Sequence, residues 1–291
     1  MHIETLKTFC DLVELGSLSR AAKLNRVTQS AVSQQLRALE TRYGRRLMER
    51  APRAGAQPTA AGRLFYQELK QLLERFSELE RRLREDADTV SGSVRVAAVY
   101  SVGLHTLPPA LKQALVAYPA LNLRLEYRRT DQIYEACLAG EIDFGIVAQP
   151  AKRSQVEIAP LGKDELVFVA APDNALLRKK RLRLADLDGQ PFVAFDRDIP
   201  TRKLLDRLLR HAGAGVSYVM ELDNIETIKR VVEIGAGIAI VPEPTIKQEV
   251  KSRTLCAVHI SDETLMRPLG IVHRQGRHFS PAVERFIAEL R

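Results

Sequence analysis

Residues 28–40, with the sequence TQSAVSQQLRALE, constrain the fold of this chain more than any other stretch. Val32, Leu36 and Leu39 follow one another at i, i+4 and i+7, which is the spacing of one apolar face of an α-helix. A second face carries short or planar hydrogen-bonding side chains, at Ser30, Ser33, Gln34 and Arg37. The stretch therefore predicts an amphipathic helix with an unusual polar face.

Two interpretations of this polar face are open. A face that only meets solvent is normally rich in Lys and Glu, which suit water and pair with each other along a helix. Ser, Gln and Arg are instead the side chains that reach base edges and phosphates from a helix in the major groove of DNA. The composition of the face favours contact with DNA.

The positive charge of the chain is concentrated at its N-terminal end. Residues 1–63 hold 11 Lys and Arg against 5 Asp and Glu, a net charge of +6, whereas the whole 291-residue chain carries +8. A basic end on a nearly neutral body indicates contact with a polyanion; a basic end that only aids solubility is the alternative. The length predicts two or three domains with packed cores.

The sequence lacks the marks of a secreted, membrane or metal-binding protein. It has neither the segments of a signal peptide nor a run of about 18 apolar residues. Cys10, Cys137 and Cys256 are far apart, and no cysteine or histidine has the spacing of metal ligands. We expect a cytoplasmic protein with inert thiols and with no metal or cofactor; a redox-sensing pair of Cys137 and Cys256 is the alternative.

Two helices are predicted ahead of the opening stretch. Gly16 ends the first of them, and Ser17 or Ser19 caps the second. Asn25 tolerates the left-handed backbone that a tight turn requires, so we expect the turn at this residue. A helix, a tight turn and a helix with a polar face together form the helix-turn-helix pattern.

The run from Leu6 to Gly62 resembles the winged helix-turn-helix of LysR-type transcriptional regulators. The matching residues are Phe9, Gly16, Ser17, Leu18, Ala21, Ala22, Leu24, the run 28–33, Leu36, Leu39, Glu40, Gly44, Leu47, Arg50 and the run 59–62. One departure is Met48, where the family usually has Phe, and we expect altered packing without loss of function.

The resemblance implies a DNA-binding transcription regulator whose partner is double-stranded DNA. The side chains expected to face the major groove are Gln29, Ser30, Ser33, Gln34 and Arg37. The family's wing corresponds here to residues 50–58, and it would bring further side chains against the sugar-phosphate backbone or the minor groove. These additional DNA-binding residues are Arg50, Arg53 and Thr59.

A long helix is predicted from Ala60 to about Ala87. Its apolar residues advance by alternating steps of four and three, which is the pattern of a coiled-coil seam. The members of this seam are Phe65, Leu69, Leu72, Phe76, Leu79 and Leu83. One amphipathic helix packed on its own domain is the alternative, whereas the resemblance implies an antiparallel homodimer that can pair further into a homotetramer.

The body of the chain alternates strand-like and helical runs after Ser91-Gly92-Ser93, which predicts a parallel sheet with helices on both faces. Among the expected elements are a strand over residues 166–171 and a helix over residues 107–118. Gly235-Ala236-Gly237 follows a helix and precedes a strand, so we interpret it as a helix end and not as a dinucleotide-binding loop.

The resemblance implies that this body is a two-lobed effector-binding domain similar to a periplasmic binding protein. The predicted fold class is α/β, with a winged helix-turn-helix over 1–60, a linker helix over 61–90 and the effector domain over 91–291. Lobe one would comprise 92–161 and 266–291, and lobe two 162–265.

We expect a small-molecule effector, suited by its negative charge to helix N-termini and hydroxyl groups, to bind between the lobes. The expected effector contacts are Tyr100, Ser101, Thr130, Gln149, Thr201 and Arg202. For any single hydroxyl among them, a simple helix cap is an equally good interpretation.

Two other functions are alternatives. The body alone would suit a solute-binding protein, but the absence of a signal peptide and the basic N-terminal helices argue against it. An enzyme is not indicated, because the sequence contains no nucleophile elbow, phosphate loop or metal-binding spacing.

Overall fold

The computed structural model describes residues 2–51, 55–84 and 91–291, and it divides the chain into two compact units, Met1–Thr89 and Val90–Arg291. Each unit has a hydrophobic core of its own. No helix within the described ranges combines the length and the apolar character needed to cross a membrane.

The first unit begins with three helices, α1 (Ile3–Leu15), α2 (Leu18–Leu24) and α3 (Gln29–Tyr43). Ser17 caps α2, and Thr28 caps α3 by accepting a hydrogen bond from the backbone N–H of Ala31. The left-handed residue of the turn is Arg26, with φ of 56°, and not Asn25 as expected. Asn25 instead uses its amide group to bond Asp11 and the carbonyl of Ala21, which fixes the turn to α1.

A two-stranded wing follows, formed by antiparallel β1 (Met48–Ala51) and β2 (Gly55–Pro58). Glu40 fastens it to α3 by accepting hydrogen bonds from the backbone N–H groups of Leu47 and Met48. Met48 itself is buried in the core of the unit, which agrees with its expected packing role.

Helix α4 (Ala60–Arg84) ends the first unit, and its two halves differ. Near its start, Leu69 is buried and Phe65 packs against the core of α1–α3. Further along, Leu72, Phe76 and Leu79 are 49%, 38% and 52% exposed. The first half of the apolar stripe therefore packs on its own domain, whereas the second half is exposed and available to a partner. The side chain of Leu83 lies outside the described residues.

Lobe one of the second unit is built on three parallel strands, β3 (Gly92–Ala98), β4 (Leu121–Tyr127) and β5 (Phe144–Ala148). Three helices connect them, α5 (Tyr100–His105), α6 (Pro108–Ala117) and α7 (Thr130–Ala139). The single helix expected over 107–118 is thus preceded by a separate short helix, because the Pro108–Pro109 pair starts a new helix at its first turn.

Two long antiparallel strands join the lobes, β6 (Val156–Ala170) and β11 (Met266–Arg274). The elements between them form lobe two: β7 (Pro191–Phe195), α8 (Pro200–His211), β8 (Ser217–Leu222), α9 (Ile225–Glu233), β9 (Ala239–Pro242), α10 (Lys247–Ser252) and β10 (Cys256–Val258). Helix α11 (Pro281–Glu289) returns to the core of lobe one.

The main sheet is mixed, with the order β10-β6-β11-β5-β3-β4 and β9 paired to β6. Strands β3, β4 and β5 are parallel as expected, whereas β6 and β11 are antiparallel. The physical reason is the crossover: a strand that leaves one lobe and a strand that returns to it must run in opposite directions. The expected strand over 166–171 is the last part of this 15-residue crossover strand. Gly235 ends α9 with φ of 76° ahead of the buried β9, as predicted.

Candidate DNA-binding and effector sites

The two faces predicted for residues 28–40 are present in α3. Val32 and Leu39 are buried, and Leu36 packs against the same core. The polar residues lie on the outer side: Gln29, Ser30, Gln34 and Arg37 are exposed, and Ser33 is half-buried. Four exposed side chains on one face of a capped helix form a surface suited to the major groove.

The residues predicted in and next to the wing are placed as follows. Arg50 lies in β1 opposite Ala56, and Arg53 lies outside the described residues. The hydroxyl of Thr59 donates to the carbonyl of Arg46 and accepts from the N–H of Gly62 at the start of α4. A hydroxyl has one proton to donate, so Thr59 could reach a phosphate as a donor only by giving up its bond to Arg46.

The centre of the second unit holds a buried arginine that no sequence pattern indicates. Arg267 is only 2% exposed and lies on β11 directly opposite Asp164 on β6. Its Nη2 atom is 2.5 Å from Asp164 Oδ2. Its Nη1 atom is 3.2 Å from Ser101 Oγ in lobe one and 3.5 Å from Thr201 Oγ1 in lobe two. One guanidinium group therefore contacts both lobes and both crossover strands.

This arginine retains capacity for a further acceptor. Its Nε atom is buried without a hydrogen-bond partner among the described residues. Burial lowers the pKa of Arg267, while Asp164 acts in the opposite direction. A guanidinium nevertheless stays protonated in proteins. A cation with an unused donor, beside two hydroxyl groups, can bind a small anion by charge-assisted hydrogen bonds.

The structure brings Ser101 and Thr201 together through Arg267, and both hydroxyl groups are buried. Gln149 lies beside β11 next to Arg267, because its backbone N–H donates to the carbonyl of Pro268. Gln149 adopts φ of 54°, a left-handed conformation that is uncommon outside glycine and is enriched at binding sites.

Tyr100 and Thr130 lie at the expected helix starts, but within the described ranges no hydrogen bond is found that joins either of them to Arg267. Tyr100 stacks on Tyr127, with ring centroids 5.6 Å apart. Thr130 is half-buried and is the first residue of α7.

Arg202, the sixth expected effector contact, is bonded within lobe two. Its guanidinium group donates to the carbonyl of Phe195 at 2.7 Å and to Asp206 at 2.7 Å, and it stacks on Tyr218 at 4.0 Å. Glu221 lies 3.2 Å away. Two carboxylates and a carbonyl already surround this buried group, so an anion would have to compete with them for its donors.

The described part of the chain contains no group of three or more His, Cys, Asp or Glu residues that could hold a metal ion. Burial raises the pKa of the Cys10 and Cys137 thiols to about 12, and Cys137 donates to the carbonyl of Val272. A protonated, buried thiol is a poor nucleophile, so the structure disfavours the redox-pair alternative for Cys137 and Cys256.

A basic winged helix-turn-helix and a two-lobed α/β domain with a polar site between its lobes together define a regulator that couples DNA contact to a small molecule. Residues 3–63 match the family model of the bacterial regulatory helix-turn-helix proteins of the lysR family, and residues 87–291 match the LysR substrate binding domain. The chain belongs to the LysR family of transcriptional regulators.

Similar proteins agree with this assignment. The chain is 31% identical to the HTH-type transcriptional regulator YeiE of Escherichia coli, over 99% of this chain and 97% of that protein. It is 25% identical to the HTH-type transcriptional regulator CysL of Bacillus subtilis, over 100% of this chain and 97% of that protein.

Among solved structures, a full-length OxyR variant from Pseudomonas aeruginosa has a TM-score of 0.77 at 21% identity, covering 100% of this chain and 93% of that one. Full-length CbnR in complex with its target DNA has a TM-score of 0.68 at 24% identity, covering 100% of this chain and 99% of that one. The protein is thus a DNA-binding transcription regulator of the LysR type, and the solute-binding alternative is set aside. Its relatives are regulators rather than enzymes.

Proposed function

We propose that two copies of this chain read a two-fold DNA site through α3, and that a small anion bound at Arg267 between the lobes sets the regulatory state. For α3, the support is the exposed row Gln29, Ser30, Gln34 and Arg37 with Ser33 beside it. Because DNA is the partner, we place the protein in the cytoplasm.

Pairing of two copies is supported by the exposed half of α4. Leu72, Phe76 and Leu79 repeat by four and three on a helix that is otherwise rich in charge. Three large apolar side chains in one row lose contact with water when a second α4 covers them. A two-fold pair of reading helices would then require half-sites one turn of DNA, or a multiple of turns, apart. A tetramer remains an expectation from the family.

The observation that carries the effector proposal is the pair of contacts from Arg267 to Ser101 and Thr201. Each hydroxyl comes from a different lobe, and the arginine comes from the strands that join them. An anion at this point would accept from the guanidinium and from both hydroxyls, so it would favour one arrangement of the lobes over another. Differential contact of this kind is what a regulatory ligand needs.

DNA binding can be tested with a fluorescent duplex from the region directly upstream of the gene for this protein. We expect binding at nanomolar to micromolar concentration in about 150 mM salt and at least about a thousandfold preference over a shuffled duplex of equal length. Equal affinity for both duplexes would contradict sequence-specific reading.

The effector class can be tested by thermal shift of the purified full-length protein against phosphate, sulfate, acetate and a series of mono- and dicarboxylates. An anion present at about a hundred times its Kd should stabilise the protein by about 2.7 kcal/mol. The same panel on the Thr201→Val protein should give a smaller shift. Stabilisation by neutral sugars or by cationic amines, but by no anion, would reject the anionic class.

A further inference from the structure

The polar groups of the candidate effector site are closed off from solvent. Ser101, Thr201 and Arg267 are 7%, 2% and 2% exposed. A ligand can therefore reach them only after the two lobes have separated. What holds the lobes together without a ligand then determines how readily the site opens.

On one side of the cleft, an arginine of lobe one reaches into a group of acids of lobe two. Arg129, at the start of α7, places Nη2 at 2.6 and 2.5 Å from the two carboxylate oxygens of Asp198. Its Nη1 atom is 3.2 Å from Asp196 and 3.9 Å from Asp223. These acids follow β7 and β8, so the arginine is held at the ends of two neighbouring strands of the other lobe.

A second contact between the lobes is made by the C-terminal end of α5 in lobe one. His105, its last residue, lies with Nε2 2.7 Å from Oε1 of Glu226 in the first turn of α9. The other oxygen of Glu226 lies 3.0 Å from Nζ of Lys229, a lysine that is 2% exposed and also pairs with Glu249 at 2.8 Å. The acceptor for His105 is thus fixed to a buried charge network inside lobe two.

We propose that the Arg129–Asp198 and His105–Glu226 contacts form a clasp that holds the empty effector cleft closed. The clasp is suited to this role because its contacts are weak enough to open. Buried contacts on both sides would lock the cleft, whereas exposed ion pairs are weak enough to open on thermal motion. The Arg129 and Asp198 side chains are 31% and 63% exposed, which leaves them open to competition by water and salt.

The clasp predicts a direct effect of each pair on the distance between the lobes. Spin labels placed by Lys112→Cys on α6 and Lys247→Cys on α10, both exposed, would report it in the full-length protein carrying Cys256→Ser. Double electron–electron resonance spectroscopy then gives the distribution of distances between the two labels. We expect Arg129→Gln to raise the population of the longer distance by about two- to fivefold, as loss of an exposed ion pair implies. Combining it with His105→Asn should raise this population further.

A matched control is Arg124→Gln on β4. Arg124 pairs at 2.8 Å with Glu126 of the same lobe, so this change removes the same charge without touching the other lobe. It should leave the distribution unchanged.

The inference builds on the proposed effector site, but the measurement contains neither ligand nor DNA. Failure of the clasp is therefore distinct from failure of the effector proposal. An Arg129→Gln distribution that superimposes on that of the labelled parent would overturn the clasp. So would a parent protein whose distribution already shows the lobes apart.

Discussion

Asp164 and Arg267 lie directly opposite each other on the two antiparallel strands that join the lobes, and their side chains meet at 2.5 Å inside the cleft. Asp164 is 5% exposed and Arg267 2%, so neither charge is compensated by water. The pair holds the guanidinium in place from the crossover strands, and the other terminal nitrogen of the group, Nη1, contacts Ser101 and Thr201. The proposed effector site is therefore attached directly to the two strands that join the lobes.

Removing one member of this pair should be costly. Arg267→Met leaves Asp164 buried and uncompensated, and we expect a loss of about 3–5 kcal/mol in the stability of the second unit. The double variant Arg267→Met with Asp164→Leu should recover most of that loss, because neither charge remains. Scanning calorimetry measures both, with the exposed Arg285→Met as the control. A double variant as unstable as the single one would show that the charge pair is not the cause.

Arg37→Ala should weaken binding to the natural duplex by about 1–3 kcal/mol if Arg37 reads a base. Fluorescence anisotropy on the natural and the shuffled duplex separates two outcomes. A loss confined to the natural duplex indicates base contact, whereas an equal loss on both places Arg37 on a phosphate. Arg285→Ala removes an exposed arginine from α11 in the second unit and should change neither affinity.

Leu72→Asp on α4 should dissociate the dimer. Leu72 is 49% exposed in the single chain, so an aspartate there is tolerated by the monomer but would be buried in a seam. Light scattering should report the mass of one chain for this variant. Gln67→Asp introduces the same side chain on another face of α4, and it should keep the mass of the parent. Dissociation by both variants would argue against a seam through Leu72.

Gly62→Ala should destabilise the first unit strongly. An added Cβ would lie 1.9 Å from the carbonyl oxygen of Leu47, so the wing and the start of α4 would have to move apart. We expect a loss of about 1–3 kcal/mol or more, as for other overpacked sites. Gly44→Ala is a useful comparison, because its Cβ meets open space and its cost of about 1–2 kcal/mol arises from the left-handed φ of 61°. Denaturation followed by circular dichroism gives both values.

Acid should weaken the Arg129–Asp198 contact of the clasp. The hydrogen bonds from Arg129 lower the pKa of Asp198 below its ordinary value when the lobes are closed. The stabilising effect is therefore complete above the ordinary carboxylate pKa of about 4 and is lost as the pH falls through the lower value of the closed form. The spin-label distances should stay short near neutral pH and lengthen as the pH falls below the ordinary carboxylate pKa of about 4. In the Arg129→Gln protein this part of the pH response should disappear.

Sequence alone is sufficient where local pattern decides structure. Helical spacing predicts the two faces of α3. The change from a strand-like to a helical pattern predicts that Ser101 and Thr201 lie in the first turns of their helices. The strand-like pattern of the sequence covers only residues 269–273, which leaves Arg267 in an apparent loop, whereas β11 begins at Met266. The burial of Arg267 depends on Asp164, more than a hundred residues away, and no local pattern carries that information.

The partners of Arg202 are missed from the sequence for a related reason. Its place in the first turn of α8 is correct, but the direction of a long side chain depends on partners from other elements. Phe195, Asp206 and Tyr218 turn it into lobe two. The contacts of Arg129 with Asp196 and Asp198 could not be predicted from the sequence either. Both acids are loop residues, and only the fold brings them against the start of α7.

The two crossover strands also decide the order in which the lobes can be completed. Lobe two is made from one continuous stretch between β6 and β11, so all of its core residues are available before the last strand is synthesised. Lobe one must wait for Ile271 on β11 and Phe286 on α11, which fill the core begun by β3. Since domains form as their residues leave the ribosome, the half of the effector domain that starts first should finish last.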